Sequence, residues 1–397
     1  MTGETVLIAA LSGRGLAASA RRAGYLPLVA DAFADADTRD HAAHFVCIAD
    51  AVRIGLRAKP VFGALGALEA GAGHPPLGLI LGSGFEDRPK LIAALSRRFA
   101  LIGNDAATVA RCKDPAALGA LLDTLQIAHP ETRVAPPTDA AGWLSKRTGG
   151  SGGTHIVPAA NAERSAKRYV QRKLDGEPVS VLAVATRRGA QIVGISRQWT
   201  IGSGPRPYRY GGAVGPVSLT PAIDTALRSA AERICAALAL VGLVSFDFIL
   251  AGETSFLLEV NPRPSATLDV FDDENGSLFR AHIDACADRE PRLPVTEGAR
   301  AAAILYAEPA PLRVGEVAWP EWAADRPAPG SRVPHHRPIA TVFAREASPE
   351  AALRSVRQRL DELGEMLYAQ APNREPTNNA EVQRSSPERL GTRSQAR

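Results

Sequence analysis

Residues Ser245–Phe271 read SFDFILAGETSFLLEVNPRPSATLDVF, and the rest of the chain is best read outward from them. Val244–Leu250 alternates in character, Ala251-Gly252-Glu253-Thr254 turns, and Ser255–Asn261 runs on to Pro262. Aromatic and β-branched residues flanking a glycine-containing turn predict a β-hairpin. Side chains on a strand alternate faces with period two, so Glu259 and Asn261 share a face. Arg263 continues past the strand end, and Asp247 can lie opposite them on the paired strand. Two carboxylates and an amide oxygen at a strand end make a hard, oxygen-rich site of the kind Mg²⁺ takes beside substrate phosphates. The same pattern also fits a solvated strand face with chance acids.

The chain has 397 residues, enough for two or three domains. No apolar run reaches membrane-spanning length, and MTGETVLIAALSGRG lacks the basic stretch and cleavage site of a signal peptide. Cys47, Cys112, Cys235 and Cys286 are scattered without a CxxC pair, which suits a reducing cytoplasm and disfavours a disulfide framework or zinc site. The net charge of +4 lies partly in the tail after Gln370, and aromatics are few. Neither a nucleic-acid surface nor a membrane partner is expected.

Apolar runs at residues 5–11, Tyr25–Ala30, Phe45–Ala49 and Leu77–Leu81 alternate with helical stretches at Leu16–Ala23 and Lys90–Arg98. That alternation predicts a Rossmann-like, doubly wound α/β domain over about residues 1–105. The Gly13/Gly15 turn, with Ala18 in the third position, is a weak dinucleotide signal that many α/β units show for steric reasons. His41 and His44 read as helical spacing at a core edge rather than a metal site. Further on, Pro115–Leu125 is an amphipathic helix. Lys146 precedes a loop with glycines at 149, 150, 152 and 153. Such a loop can turn its amides toward a phosphate, with the lysine as a point charge, or can be a flexible hairpin tip. It is not a Walker A loop, because no GK[ST] follows.

Ala166–Leu174 is expected as a strand, and Val179–Thr186 with Gln191–Trp199 as a hairpin. Ile201–Val217 is expected as a long loop, where Arg206, Tyr208 and Arg209 meet an anionic substrate or form an exposed hinge. Arg197 and Gln198 are weaker cleft candidates. Pro221–Leu240 should be a helix with Thr220 as N-cap, and Leu278–Arg289 another. Ala301–Tyr306, Ser331–Val333 and Ile339–Ala344 should form a small closing sheet, followed by a helix at Ala351–Leu367. From about Pro372 the sequence has the composition of a disordered tail.

The order of these features resembles the ATP-grasp superfamily over roughly residues 1–345. Asp247 and Glu259 are twelve positions apart, a spacing similar to the metal-ligand hairpin of its biotin-carboxylase-like members. The resemblance implies an α/β and α+β fold. A Rossmann-like domain (1–105) precedes a two-lobed ATP-grasp domain (106–300) with a mobile lid lobe near 140–200. A small sheet and helix follow (301–370), then the tail (371–397). It implies that Lys113 and Lys146 hold ATP phosphates and that Gly149, Gly150, Gly152 and Gly153 cover them. Gln171, where the family usually has Glu, would begin the adenine hinge with backbone groups of Arg172 and Leu174, and Glu177 would hold the ribose. Asp247, Glu259 and Asn261 would bind two Mg²⁺. Arg263 and Lys146 would face the transferred phosphate.

The EVNPRPSATLD segment and the late ADRP…GS…PIATVFA segment resemble a carboligase-like branch. That branch occurs near tetrahydromethanopterin and methanofuran one-carbon pathways and includes tyramine–glutamate ligase. Biotin carboxylases carry Gln-Val-Glu-His after their arginine, whereas this chain has Pro-Ser-Ala-Thr. The implied activity is cytoplasmic, ATP-dependent joining of a small carboxylate to an amine through an acyl-phosphate. A biotin-carboxylase-like carboxylase and a non-catalytic ATP-binding module are the alternatives. A homodimer is the base-rate assembly.

Overall fold

A computed structural model describes residues 3–163, 165–202, 204 and 206–369, so the expected tail lies outside the described residues. Four parallel strands open the chain: β1 (Thr5–Ala9), β2 (Leu26–Asp31), β3 (His44–Cys47) and β4 (Leu79–Leu81). Their order is β3-β2-β1-β4. Apolar side chains on both faces pack under the helices Arg14–Arg22, Ala58–Ala70 and Pro89–Ser96. The chain reverses direction across the sheet between β1 and β4, and the loops after those two strands open a crevice at the switch point. His41 ends the helix Ala36–His41 and His44 begins β3, so the two do not share one helix.

A small lobe follows the helices Ala106–Lys113 and Pro115–Thr124. Its strands β5 (Thr132–Arg133), β6 (Trp143–Arg147), β7 (Val157–Pro158) and β8 (Arg168–Arg172) pair in the order β5-β8-β6-β7. The large sheet then begins with β9 (Glu177–Thr186), β10 (Gly189–Thr200), β11 (Tyr210–Gly215), β12 (Gly242–Ala251), β13 (Thr254–Asn261) and β14 (Ala299–Tyr306). The short strands β15 (Leu312–Arg313), β16 (Ala323–Ala324) and β17 (Arg332–Val333) lead to β18 (Pro338–Glu346). The order is β13-β12-β9-β10-β11-β14-β18-β16, while β15 pairs with β17. The expected strands near 301–306 and 339–344 therefore extend this sheet, and the helix Pro349–Ala369 covers them.

Alternation along β9 explains the layering. Val179, Val181 and Ala183 face the helix Pro221–Leu238, whereas Leu182 and Val184 face the N-terminal domain and the helix Ser277–Cys286. Thr220 stands at the N-cap, but its side chain makes no capping hydrogen bond, contrary to expectation. No helix among the described residues is long and apolar enough to cross a membrane.

One expected loop is a strand. Tyr210–Gly215 lies within the span 201–217 yet joins β10 to β14. Gly211-Gly212 hides it from a reading based on β-propensity. Glycine is needed there because the Trp199 ring lies over the strand, and a Cβ on Gly212 would overlap both that ring and the Ala302 carbonyl. Gly212→Ala is therefore expected to cost about 1–3 kcal/mol through overpacking. Urea denaturation reads this directly, and an unchanged midpoint would contradict the assigned packing.

Candidate active site

Register places the hairpin acids. Asp247 pairs with Glu259 and Ser245 with Asn261, with a bulge immediately after Asp247 on that pairing. Bulges of this kind re-aim side chains beside functional sites. Phe246 and Val260 turn into the core on the other face. Asp247 Oδ1 accepts from Ser180 Oγ at 2.7 Å, and Oδ2 accepts from Asn261 Nδ2 at 2.9 Å. The Lys113 ammonium reaches in from the end of its helix to Glu259 Oε1 and, at 3.0 Å, to Asn261 Oδ1.

Charge settles unevenly over the pair. Burial and the facing Glu259 push the Asp247 carboxyl above its ordinary range. Burial pushes Glu259 the same way, but Lys113 outweighs it and, with Lys146 and His155, holds that carboxyl low. Burial lowers the Lys146 ammonium while Glu259 and Asp247 oppose the fall. Lys146 lies on β6 one diagonal step from Gln171 on β8, and its Nζ donates to Gln171 Oε1 at 2.6 Å. Asp247, Glu259 and Asn261 fit Mg²⁺ by donor type, because all offer hard oxygens and two are acids.

The glycine loop runs against Asp87 of the α/β domain on one side and Tyr208 on the other. Gly149, at φ +66°, has its Cα so near Asp87 that a Cβ would come within 2.6 Å of the Asp87 amide nitrogen. Gly153, at φ +72°, would overlap the Tyr208 carbonyl. Tyr210 N–H also donates to the Gly152 carbonyl at 3.1 Å. The adjacent His155 ring packs over Gly150, accepts from Arg147 N–H at 3.1 Å, and burial lowers its pKa to about 4.

The other expected residues sit as follows. Gln171 faces Lys146, so its side-chain oxygen is engaged there rather than open to a base. Arg172 N–H donates to the Glu131 carbonyl at 2.8 Å, which removes that donor from the expected hinge. Leu174 follows β8 in the connection to β9. Glu177 pairs with Arg197 at the start of β9. Gln198, Arg206 and Arg209 line a cavity of about 710 Å³, together with Asp247, Glu259, Asn261 and Arg263.

Glu86 is a site residue that the sequence reading misses. It follows the Gly82-Ser83-Gly84 turn at the end of β4, is buried, and binds Arg263 Nε at 2.5 Å. Its other oxygen accepts from Gly84 N–H at 2.7 Å. Asn104 secures the same corner by donating to the carbonyls of Val241 (2.9 Å) and Pro262 (3.1 Å). The only sequence signal is a glycine turn at a strand end of the α/β domain, since the partner is 177 positions away.

Burial raises the Glu86 pKa, but Arg263 and Lys113 outweigh it and hold it below the ordinary value of 4.5. Its stabilisation is thus complete above that pH and is lost as pH falls through the depressed folded value. Glu86→Gln leaves the Arg263 charge buried without its partner and should cost about 3 kcal/mol at neutral pH. The loss should shrink on acidification below pH 4.5, and equal unfolding midpoints for the two proteins at neutral pH would contradict it.

Residues 112–267 match the ATP-grasp domain family. Over 225 residues the chain is 24% identical to the carbamoyl phosphate synthase large chain of Myxococcus xanthus (strain DK1622). That match covers 51% of this chain and 21% of the relative, so the chain spans about a fifth of that protein's length. Among solved structures, the biotin carboxylase domain of Hydrogenobacter thermophilus 2-oxoglutarate carboxylase, in complex with MgADP, ADP and bicarbonate, superposes with TM-score 0.68 at 12% identity. It covers 90% of this chain and 89% of that one. N5-carboxyaminoimidazole ribonucleotide synthetase from Thermus thermophilus gives TM-score 0.65 at 18% identity, covering 91% and 98%. An α/β domain, a small lobe and a large sheet carrying the acidic hairpin thus form an architecture that the chain shares with these solved structures, and its residues 112–267 match the ATP-grasp domain.

Proposed function

We propose that the chain is an ATP- and Mg²⁺-dependent ligase that activates a carboxylate as an acyl-phosphate for attack by an amine. The observation that carries this reading is the gathering of Asp247, Glu259 and Asn261 with Lys113, while Arg263 continues the same wall of one cavity. Asp247, Glu259 and Asn261 would hold Mg²⁺, two ions in our reading, which neutralises charge on nucleotide phosphates. Lys113 and Lys146 supply cations for phosphate oxygens, and the loop Gly149–Gly153 screens the reacting groups from water. We assign the adenine and ribose to the connection from Gln171 to Glu177.

In the first step a carboxylate oxygen attacks the γ-phosphorus and the bond to the ADP oxygen breaks. In the second, the amine nitrogen attacks the acyl carbon, phosphate leaves with the carbon–oxygen bond's electrons, and the amine gives up a proton. Arg263, steadied by Glu86, offers a fixed guanidinium to carboxylate and phosphoryl oxygens. The reading we favour takes glutamate or another amino acid as one substrate and places the reaction in one-carbon cofactor biosynthesis in the cytoplasm.

A second reading treats bicarbonate as the acid. The fold shared with a biotin carboxylase domain favours it, whereas Pro264-Ser265-Ala266-Thr267 where that group carries Gln-Val-Glu-His disfavours it. An ADP-release screen over acids, amines and bicarbonate separates the readings. The ligase should release ADP only with an acid and an amine together. ADP formed with bicarbonate alone would favour the carboxylase, and nucleotide binding without turnover would favour a binding module. Asp247→Asn or Glu259→Gln should lower turnover at least about 100-fold through lost charge neutralisation, and unchanged turnover would refute the site.

A further inference from the structure

Arg206 and Arg209 both line the cavity, and Arg337, the residue before β18, lines it with them. Arg209 is no exposed hinge. It is fully buried (0% exposed), with its guanidinium 3.6 Å from the centre of the Tyr306 ring. Its Nη1 stands 2.7 Å from a Glu308 oxygen and donates to the His336 carbonyl at 3.2 Å. Its Nε and Nη2 are buried with no hydrogen-bond partner among the described residues. Arg206 reaches the same carbonyl at 3.4 Å, and neither Arg206 nor Arg337 pairs with a carboxylate among the described residues.

Three guanidiniums thus meet one paired carboxylate, an excess of two positive charges in this corner. Burial, then Arg337 and Arg209, holds the Arg206 pKa below its ordinary value, and Tyr306 and Glu308 oppose the fall without cancelling it. Gathered like charges and unsatisfied buried donors are both costly, and a bound oxyanion would offset both.

The surroundings show which ligand fits. Glu308, His335 and His336 bring possible metal ligands within 4.8 Å of one another. Arg209 already holds Glu308, however, and a divalent cation there would meet guanidinium charge. A single carboxylate would leave part of the positive charge unmatched. A phosphate monoester brings about two negative charges and three acceptor oxygens, and the planar fork of arginine matches phosphate oxygens in pairs. The same segment also backs the glycine loop, through Tyr210 N–H on the Gly152 carbonyl (3.1 Å) and the Tyr208 carbonyl against Gly153.

We infer that Arg206, Arg209 and Arg337 form a subsite for a phosphate dianion, so that one substrate carries a phosphoryl group away from its reacting centre. Arg206 and Arg337 act as binding residues, and Arg209 adds charge from the buried layer. That a substrate supplies the dianion rests on the ligase reading, whereas the subsite itself stands on the cavity wall.

Calorimetry on the full chain saturated with Mg·ADP tests it, using methyl phosphate, inorganic phosphate and, as a monoanion of the same shape, methyl sulfate. Methyl phosphate should bind saturably and at least tenfold tighter than methyl sulfate. Arg206→Gln and Arg337→Gln should each weaken it at least tenfold. Each variant should also keep or raise the low-salt thermal midpoint of the ligand-free protein, because it removes a repelling charge. Merely structural arginines would lower that midpoint when replaced. Absence of binding, equal binding by both variants, methyl sulfate binding as tightly, or a midpoint lowered in both variants overturns the inference. Binding only to nucleotide-free protein would give the corner to the nucleotide, and binding of inorganic phosphate without methyl phosphate would give it to free phosphate; either result also overturns it. Arginine-dependent binding with no ADP release from any acid and amine would uphold the subsite and defeat the ligase reading. ADP release from a phosphate-free acid and amine, with both KM values unchanged in Arg337→Gln, would do the reverse.

Discussion

Two carboxylates on directly opposed strand positions repel one another, and Asp247 and Glu259 hold that arrangement at a half-buried place on the cavity wall. At a cross-strand spacing of about 5 Å and an effective dielectric near 20, the repulsion is about 3 kcal/mol. Much of the surrounding architecture offsets it. Lys113 is brought from a helix in the connection to the small lobe, Lys146 from the small lobe, and Ser180 and Asn261 donate from adjacent strands. The cluster therefore ties three parts of the chain to one point. In the proposed reaction the same cations and acids would neutralise phosphate charge and hold the metal.

Around that point the fold supplies walls. The Rossmann-like domain contributes the loops after β1 and β4, where its strand order reverses, and these face the hairpin across the cavity. Glu86 fastens one of these loops to Arg263, and Arg14 fastens the other to Asp269 and Asp325. Both contacts join residues more than 170 positions apart. The glycine loop closes the third side, where at Gly149 and Gly153 backbone runs against backbone and a side chain has no room.

Local pattern made much of this legible. Period-two alternation set Glu259 and Asn261 on one face and allowed Asp247 opposite them, and the bulge after Asp247 is what pairs it with Glu259. The α/β repeat of residues 5–98 was readable because buried parallel strands are apolar on both faces. What escaped depended on distant partners. Tyr210–Gly215 lacks strand propensity because its glycines answer to Trp199 and Ala302. Glu86 looks like an ordinary surface acid until Arg263 is placed beside it. The Gln171 oxygen serves Lys146, a role that only the pairing of β6 with β8 shows.

The central claim is that this cluster transfers a phosphoryl group to a carboxylate oxygen. The most direct measurement follows that oxygen. With an acid that supports ADP release, labelled with ¹⁸O in its carboxylate, an acyl-phosphate mechanism leaves one labelled oxygen in the phosphate released per turnover. Mass spectrometry or the ³¹P isotope shift of the phosphate reads it. Phosphate carrying no label while amide product accumulates would contradict the account.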